Sequence, residues 1–146
     1  MSETAVQPSA TSDGKRPLRV LLVEDSEFDA RMLVSLLQAG GFEPEFERVE
    51  TADEMRVALG QAPWEMILAD FNLPDFSAPE ALEMLQESQL DIPFIIVSGG
   101  IGEDTAVAAM KSGAHDYLMK GNLARLIPAV ERELREATVR ASRRQT

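Results

Sequence analysis

Apolar residues recur along the chain in two alternating rhythms. Short continuous runs, at Arg19 to Val23, Trp64 to Ala69, Phe94 to Val97 and Tyr117 to Met119, have strand length. Such runs suit strands buried on both faces. Between them the apolar positions take helical spacing. After the first run, Phe28, Met32, Leu33, Leu36 and Leu37 recur on one face, and Gly40 with Gly41 supplies the stop. Glu45 to Val49 predicts a second, shorter strand of weaker apolar character. Thr51 to Glu54 has the form of a capping box, opening a helix that Gly60 ends. The third strand leads through Asp70 into a loop holding Pro74, then a helix over Pro79 to Glu87. Ile92 and Pro93 introduce the fourth strand. Glu103 to Ser112 predict a helix with Val107 and Met110 on one face, closed by Gly113. After a short fifth strand Asn122 caps a turn. The main last helix is expected to start at Pro128, since proline is tolerated in a first turn but costs about 3 kcal/mol in a helix interior.

Strands alternating with helices predict an α/β fold, a parallel sheet whose right-handed crossovers place helices on both faces. Residues Met1 to Pro17 carry Ser, Thr, Gly, Pro and charge without periodicity and read as a disordered tail. One domain over 18–137 follows, with 138–146 extending the last helix. The 146 residues suffice for a single core, and 45% hydrophobic with 27% charged residues is ordinary for a globular chain. No apolar stretch reaches the roughly 18 residues of a membrane span. The polar N-terminus lacks a signal-peptide core, and cysteine is absent. A cytoplasmic protein without a membrane partner is expected. The net charge of −11 argues against nucleic acid, which requires a basic face. Arg132, Arg135, Arg140, Arg143 and Arg144 crowd the C-terminus and read as a solvated helix end rather than a binding patch.

The strand ends carry the chemistry. The first runs into Glu24 and Asp25, the third into Asp70, the fourth into Ser98 and the fifth into Lys120. Parallel strands deliver their last residues to one edge, where open α/β sheets bind ligands. Magnesium takes oxygen ligands, usually one or two carboxylates, waters and a phosphate oxygen. Three uncompensated carboxylates would repel, and at least one pKa is expected to rise. Taken singly, Asp25 or Ser26 could equally cap the following helix. Capping does not explain the trio together with Ser98 and Lys120, because a lysine at a strand end caps nothing. Lys120 offers a point charge to one phosphoryl oxygen and Ser98 a hydroxyl to another. Phosphoryl transfer needs mainly such positioning and charge neutralisation. A carboxylate can itself be the nucleophile, and Asp70, on the central strand, is the best candidate.

From Leu18 to about Ala137 the chain resembles the receiver domain of two-component response regulators. The matching pieces are Leu21 to Asp25, Asp70 to Pro74, Val97 to Gly99 and Asp116 to Lys120. Each is weak alone, but their order and spacing are specific. The resemblance implies a flavodoxin-like receiver fold with strand order 2-1-3-4-5, an order carried over from known folds. It implies that Asp70 accepts a phosphoryl group from a phosphohistidine on a sensor histidine kinase. It also implies Mg²⁺ bound by Asp25, Asp70 and the backbone carbonyl of Asn72, with Glu24 assisting through water. Ser98 and Tyr117 match the switch pair, the hydroxyl moving toward the phosphoryl group and the ring turning inward behind it. Three positions depart from the pattern. The acid pair is Glu-Asp rather than Asp-Asp, and Ala78 replaces a loop glycine. Gly121 follows Lys120 in place of proline, which leaves a trans bond expected there. Gly99 and Gly100 after Ser98 would leave the phosphoryl group open to water and shorten its lifetime, or only shape a tight turn.

A phosphorylation-controlled switch, not an enzyme acting on an external substrate, is the leading expectation. Its output would be a target protein bound through the fourth helix, fifth strand and fifth helix. Alternatives are a phosphorelay shuttle to a histidine phosphotransfer protein, or a receiver cut from a larger hybrid sensor. A Mg²⁺-dependent phosphohydrolase would want a second acid at Asn72, and a flavodoxin-like cofactor binder would want a Ser/Thr/Gly-rich loop where Glu24 to Glu27 stand. His115, the only histidine, reads as a structural loop residue. Trp64 and Phe71 read as packing residues, with Phe71 partly covering Asp70.

Overall fold

A computed structural model of the chain describes residues 14–71 and 73–145. Along the chain run β1 (Arg16–Val23), α1 (Glu27–Ala39), β2 (Phe42–Val49), α2 (Ala52–Leu59), β3 (Met66–Ala69) and α3 (Ala78–Ser88). They are followed by β4 (Phe94–Ser98), α4 (Glu103–Lys111), β5 (Asp116–Met119), a short 3₁₀ turn at Leu123–Arg125, and α5 (Leu126–Gln145). All paired strands are parallel, in the order β2-β1-β3-β4-β5, as expected.

The sheet separates two apolar layers, because successive side chains of a strand point to opposite faces. From β1, Val20 and Leu22 join Ala30, Leu33 and Leu37 of α1 and Leu126, Val130 and Leu134 of α5. Leu21 and Val23 point the other way, onto Met55 of α2, Leu82 and Leu85 of α3 and Ala109 of α4. Every residue of β3 and β4 is buried, which explains their unbroken apolar runs. Trp64 packs in the second layer, its indole N–H donating to Ala58 O at 2.7 Å.

Several boundaries differ from the sequence reading. Arg16 and Pro17 belong to β1, not to the tail. Arg16 N–H donates to Gly41 O at 2.9 Å, and its guanidinium lies 5.7 Å from the Phe42 ring centre. The rest of the expected tail, up to Asp13, lies outside the described residues. β2 starts at Phe42 rather than Glu45, since all its positions pair with β1. It is an edge strand, which is why Pro44 and the exposed Glu43, Glu45 and Glu47 are tolerated. α5 begins at Leu126, two residues before Pro128, which still falls in the first turn where no intrahelical donor is missed. Asn122 makes no side-chain cap, and its N–H closes the turn onto Met119 O at 2.9 Å. Ala78 opens α3 instead of lying in the preceding loop. Ser77 and Glu80 form the capping box there.

The C-terminal arginines are more than a solvated end. Arg140 and Arg144, one helical turn apart, both bind Asp91 in the α3–β4 connection. Burial works against the charge of Asp91, but the two guanidinium bonds outweigh it and lower its pKa. Arg132 bonds Asp116 and Glu133, and with these contacts α5 is fastened to β5 and to the far end of the sheet.

Candidate functional site

The strand ends meet as their sequence positions predict. Backbone bonds extend the ladder one residue past each strand: Glu24 N–H to Val49 O at 3.0 Å, Asp70 N–H to Val23 O at 2.8 Å, and Lys120 N–H to Ser98 O at 2.7 Å. These bonds fix the outgoing direction of each side chain. Ser26 then caps α1, its hydroxyl accepting from Asp29 N–H at 3.1 Å, so Asp25 stays in the loop and exposed.

Lys120 stands at the centre. Its ammonium lies 2.9 Å from Asp70 Oδ2, 2.7 Å from Asp29 Oδ2 and 3.0 Å from Glu24 Oε1. The contact with Glu24 is an ion pair too poorly aligned to count as a hydrogen bond, so Oε1 lacks a hydrogen-bond donor. Burial disfavours the charged ammonium, yet the neighbouring carboxylates of Asp29, Asp70 and Glu24 outweigh it and raise the lysine pKa. Glu24 is 1% exposed. Desolvation pushes its pKa up to about 7, against the lowering effects of the Ser26 amide and Lys120, and the Asp70 charge adds to the rise. The expected perturbed carboxylate is therefore Glu24.

Glu24, Asp25 and Asp70 each place a carboxylate oxygen within 4.8 Å of the others. Opposite ligands of octahedral magnesium are about 4 Å apart, so small side-chain adjustments would bring this oxygen set to a hard divalent cation. The residues fit such an ion by donor chemistry and spacing. Asn72, whose carbonyl was expected as a further ligand, lies outside the described residues. Asp70 thus has an ammonium on one oxygen and neighbouring carboxylates able to share a cation with it. This arrangement can neutralise a phosphoryl group placed on Asp70.

Residues 20–131 match the response regulator receiver domain family. The chain belongs to that family. Receivers of this kind serve phosphorylation-controlled two-component signalling between a sensor kinase and a downstream target. Similar curated proteins include the cell cycle transcriptional regulator CtrA of Caulobacter vibrioides, 37% identical over 106 residues, covering 70% of this chain and 44% of the relative. The cell cycle response regulator CtrA of Brucella ovis is 36% identical over the same shares. The chain thus spans less than half the length of these curated relatives. Among solved structures, the signal receiver domain of a putative Luxo repressor protein from Vibrio parahaemolyticus has a TM-score of 0.74 at 29% identity, covering 86% of this chain and 95% of that one. The Mn²⁺-bound form of the response regulator Rcp1 has a TM-score of 0.63 at 30% identity, covering 78% and 89%.

In this receiver Ser98 is fully buried and its Oγ has no hydrogen-bond partner. A buried hydroxyl left unpaired carries a desolvation cost of about 1–3 kcal/mol, which an incoming acceptor would relieve. Tyr117, half-buried on β5, borders an open groove with Ala106, Val107, Met110 and Lys111 of α4. Gly99 and Gly100 are exposed, and a Cβ at either would meet no atom within 4 Å. Gly100 has φ +140°, so the turn itself requires glycine there, whereas Gly99 is free of that constraint. No cis peptide bond occurs among the described residues, so the bond into Gly121 is trans as expected. Phe71 packs as expected, half-buried against the second apolar layer. It lines a small apolar cavity with Ala78, Leu82, Ile96 and Ala109 between α3 and α4.

His115 is structural. Its Nδ1 accepts from Phe94 N–H at 3.0 Å and its backbone N–H donates to Phe94 O at 2.8 Å. Burial, assisted by the Arg140 charge, lowers its pKa. The sequence reading missed two residues. Arg48 donates to Glu24 O at 3.2 Å and Asp25 O at 3.4 Å, bracing the loop that carries both acids. Asp29 holds Lys120. Its position in the first turn of α1 was the available signal, but an acid there also complements the helix dipole.

Proposed function

We propose that Asp70 is the phosphoacceptor of this receiver and takes its phosphoryl group from a phosphohistidine of a sensor histidine kinase or a histidine phosphotransfer protein. The observation that carries this reading is the placement of Asp70 between the Lys120 ammonium, at 2.9 Å, and the carboxylates of Glu24 and Asp25. A carboxylate oxygen of Asp70 attacks phosphorus, the P–N bond to the imidazole breaks, and its electron pair leaves with the ring nitrogen. Lys120 neutralises one phosphoryl oxygen, and the Ser98 hydroxyl donates to another. Glu24, Asp25 and Asp70 would hold Mg²⁺, which supplies positive charge to the phosphoryl oxygens. The similar Rcp1 is known in a Mn²⁺-bound form, which supports divalent-ion binding by this receiver.

Engagement of Ser98 draws on β4 and the loop after it, and Tyr117 turns inward behind it. The face formed by α4, β5 and α5 changes accordingly and binds a target protein. Val107 at 46% and Met110 at 41% exposure give that face apolar surface already in this state. Incubation with acetyl phosphate and Mg²⁺ followed by intact mass tests the assignment. One phosphoryl group should be added, and Asp70→Asn should abolish the addition. Retention of the added mass in Asp70→Asn refutes Asp70.

A further inference from the structure

An ammonium has three protons, and Lys120 presents them toward three carboxylates. Two of these, Glu24 and Asp70, belong to the cluster at the strand ends. The third is Asp29, which comes from a helix instead of a strand end and makes the shortest of the three contacts, 2.7 Å. Its carboxylate is only partly buried, at 26% exposure, while its backbone is fixed by the Ser26 cap. Asp29 stands outside the trio whose oxygens converge for a cation. It therefore adds a negative charge that reaches the site only through the ammonium.

We infer that Asp29 is a positioning residue that acts through Lys120 and sets the charge balance of the phosphoacceptor site. This rests on the assignment of Asp70 above. In the resting state Asp29 holds one lysine proton and shares its charge, so less positive charge is directed at Asp70. A phosphoryl anion on Asp70 draws on the same ammonium and competes with Asp29 for it. The same sharing favours a cation, since it leaves the carboxylates of Glu24 and Asp70 less fully compensated. Without Asp29 the ammonium keeps its bond to Asp70 Oδ2 and its ion pair with Glu24, so removing the Asp29 charge redirects the ammonium without freeing it.

The signature is a pair of opposite shifts. In Asp29→Asn, Mg²⁺ binding measured by calorimetry should weaken by about two- to fivefold, the range of a partly exposed charge pair. Beryllofluoride binding at saturating Mg²⁺ should tighten by a similar factor. Both shifts should shrink at high ionic strength. Asp29→Glu, which keeps the charge, should stay close to the parent in both titrations. A merely structural role would weaken cation and anion binding together, in the asparagine and glutamate variants alike, and that outcome overturns the proposal. Unchanged affinities in Asp29→Asn overturn it too. If the parent protein itself fails to bind beryllofluoride, the Asp70 assignment falls and this proposal with it. Parent binding with an unresponsive Asp29→Asn removes only the role of Asp29.

Discussion

Replacing Glu24 by glutamine should stabilise the metal-free protein while weakening its hold on Mg²⁺. Burial raises the Glu24 pKa from 4.5 to about 7. The folded state consequently binds a proton that the unfolded chain has already released in that interval. Stability falls as pH climbs from about 4.5 through about 7 and then levels off, because the unfolded state binds fewer protons there. Glutamine has no proton to lose, so Glu24→Gln removes this slope. At about 1.4 kcal/mol per pKa unit the full shift corresponds to about 3 kcal/mol. Screening by solvent at the open sheet edge reduces the expected gain near neutral to alkaline pH to about 1–2 kcal/mol. For a chain of this size each kcal/mol raises Tm by about 4 °C. Thermal unfolding with chelator at pH 8 and at pH 5 is the assay. The Tm gain should be present at pH 8 and small at pH 5. Saturating Mg²⁺ should shrink or reverse it, because the cation stabilises the parent carboxylate by mass action. No gain at pH 8, or an equal gain at both pH values, would refute the assignment of the raised pKa to a desolvated Glu24 in the folded state.

Gly40 ends α1 where α5 approaches, and a Cβ there would lie 2.3 Å from Ile127 Cδ1 and 2.5 Å from Cγ1. Gly40→Ala should cost about 1–3 kcal/mol in chemical denaturation, as overpacking does. Ile127→Ala should be less destabilising in that background than in the parent, and additive costs in the double-mutant cycle would contradict the clash. At Gly99, where the backbone is compatible with a side chain, a leucine should shield the acyl phosphate from water. Phosphate release from the phosphorylated protein should slow several-fold in Gly99→Leu, and an unchanged rate would remove Gly99 from the control of hydrolysis.

The sheet was legible because β3, β4 and the second half of β1, from Val20 on, are buried on both faces and so are apolar without interruption. β2 was read short because an edge strand faces water, and Glu43 and Pro44 hide its start behind Phe42. The cluster of acids and lysine at the strand ends was legible for a related reason. A charged residue that directly follows a buried strand has few structural uses, so Asp70 and Lys120 stood out. Helix-borne contributors carried no such contrast. Asp29 looks like any first-turn acid, and Arg48 like any edge-strand cation, until folding brings them to the loop after β1. The arginines of α5 were misread in the same way. Their partners Asp91 and Asp116 are far away in sequence, and only the length of the helix brings Arg140 and Arg144 over Asp91.

How a change at the strand ends reaches a partner follows from the unequal anchoring of the helices. α1 buries Ala30, Leu33 and Leu37 and is capped by Ser26; α3 buries Ala78, Ala81, Leu82 and Leu85 behind a full capping box. α4 buries Ala109 alone. It starts at Gly102, with φ +84° and no side-chain cap, and leaves Val107 and Met110 in solvent. Each apolar side chain kept out of the core forgoes about 1.5–3 kcal/mol of stabilisation, so α4 is the helix cheapest to displace. It also directly follows the loop of Ser98, Gly99 and Gly100 and borders Tyr117 across the groove. α5, by contrast, is held through Asp91, Asp116 and the packing of Leu126, Val130 and Leu134. On the proposed assignment, drawing the Ser98 hydroxyl toward an anion on Asp70 would therefore load the helix with the least buried anchoring, while α1 and α5 would stay fixed. The rigid side of the sheet would then hold the chemistry in register, and the loosely packed α4 would turn a small shift at Ser98 into an altered surface.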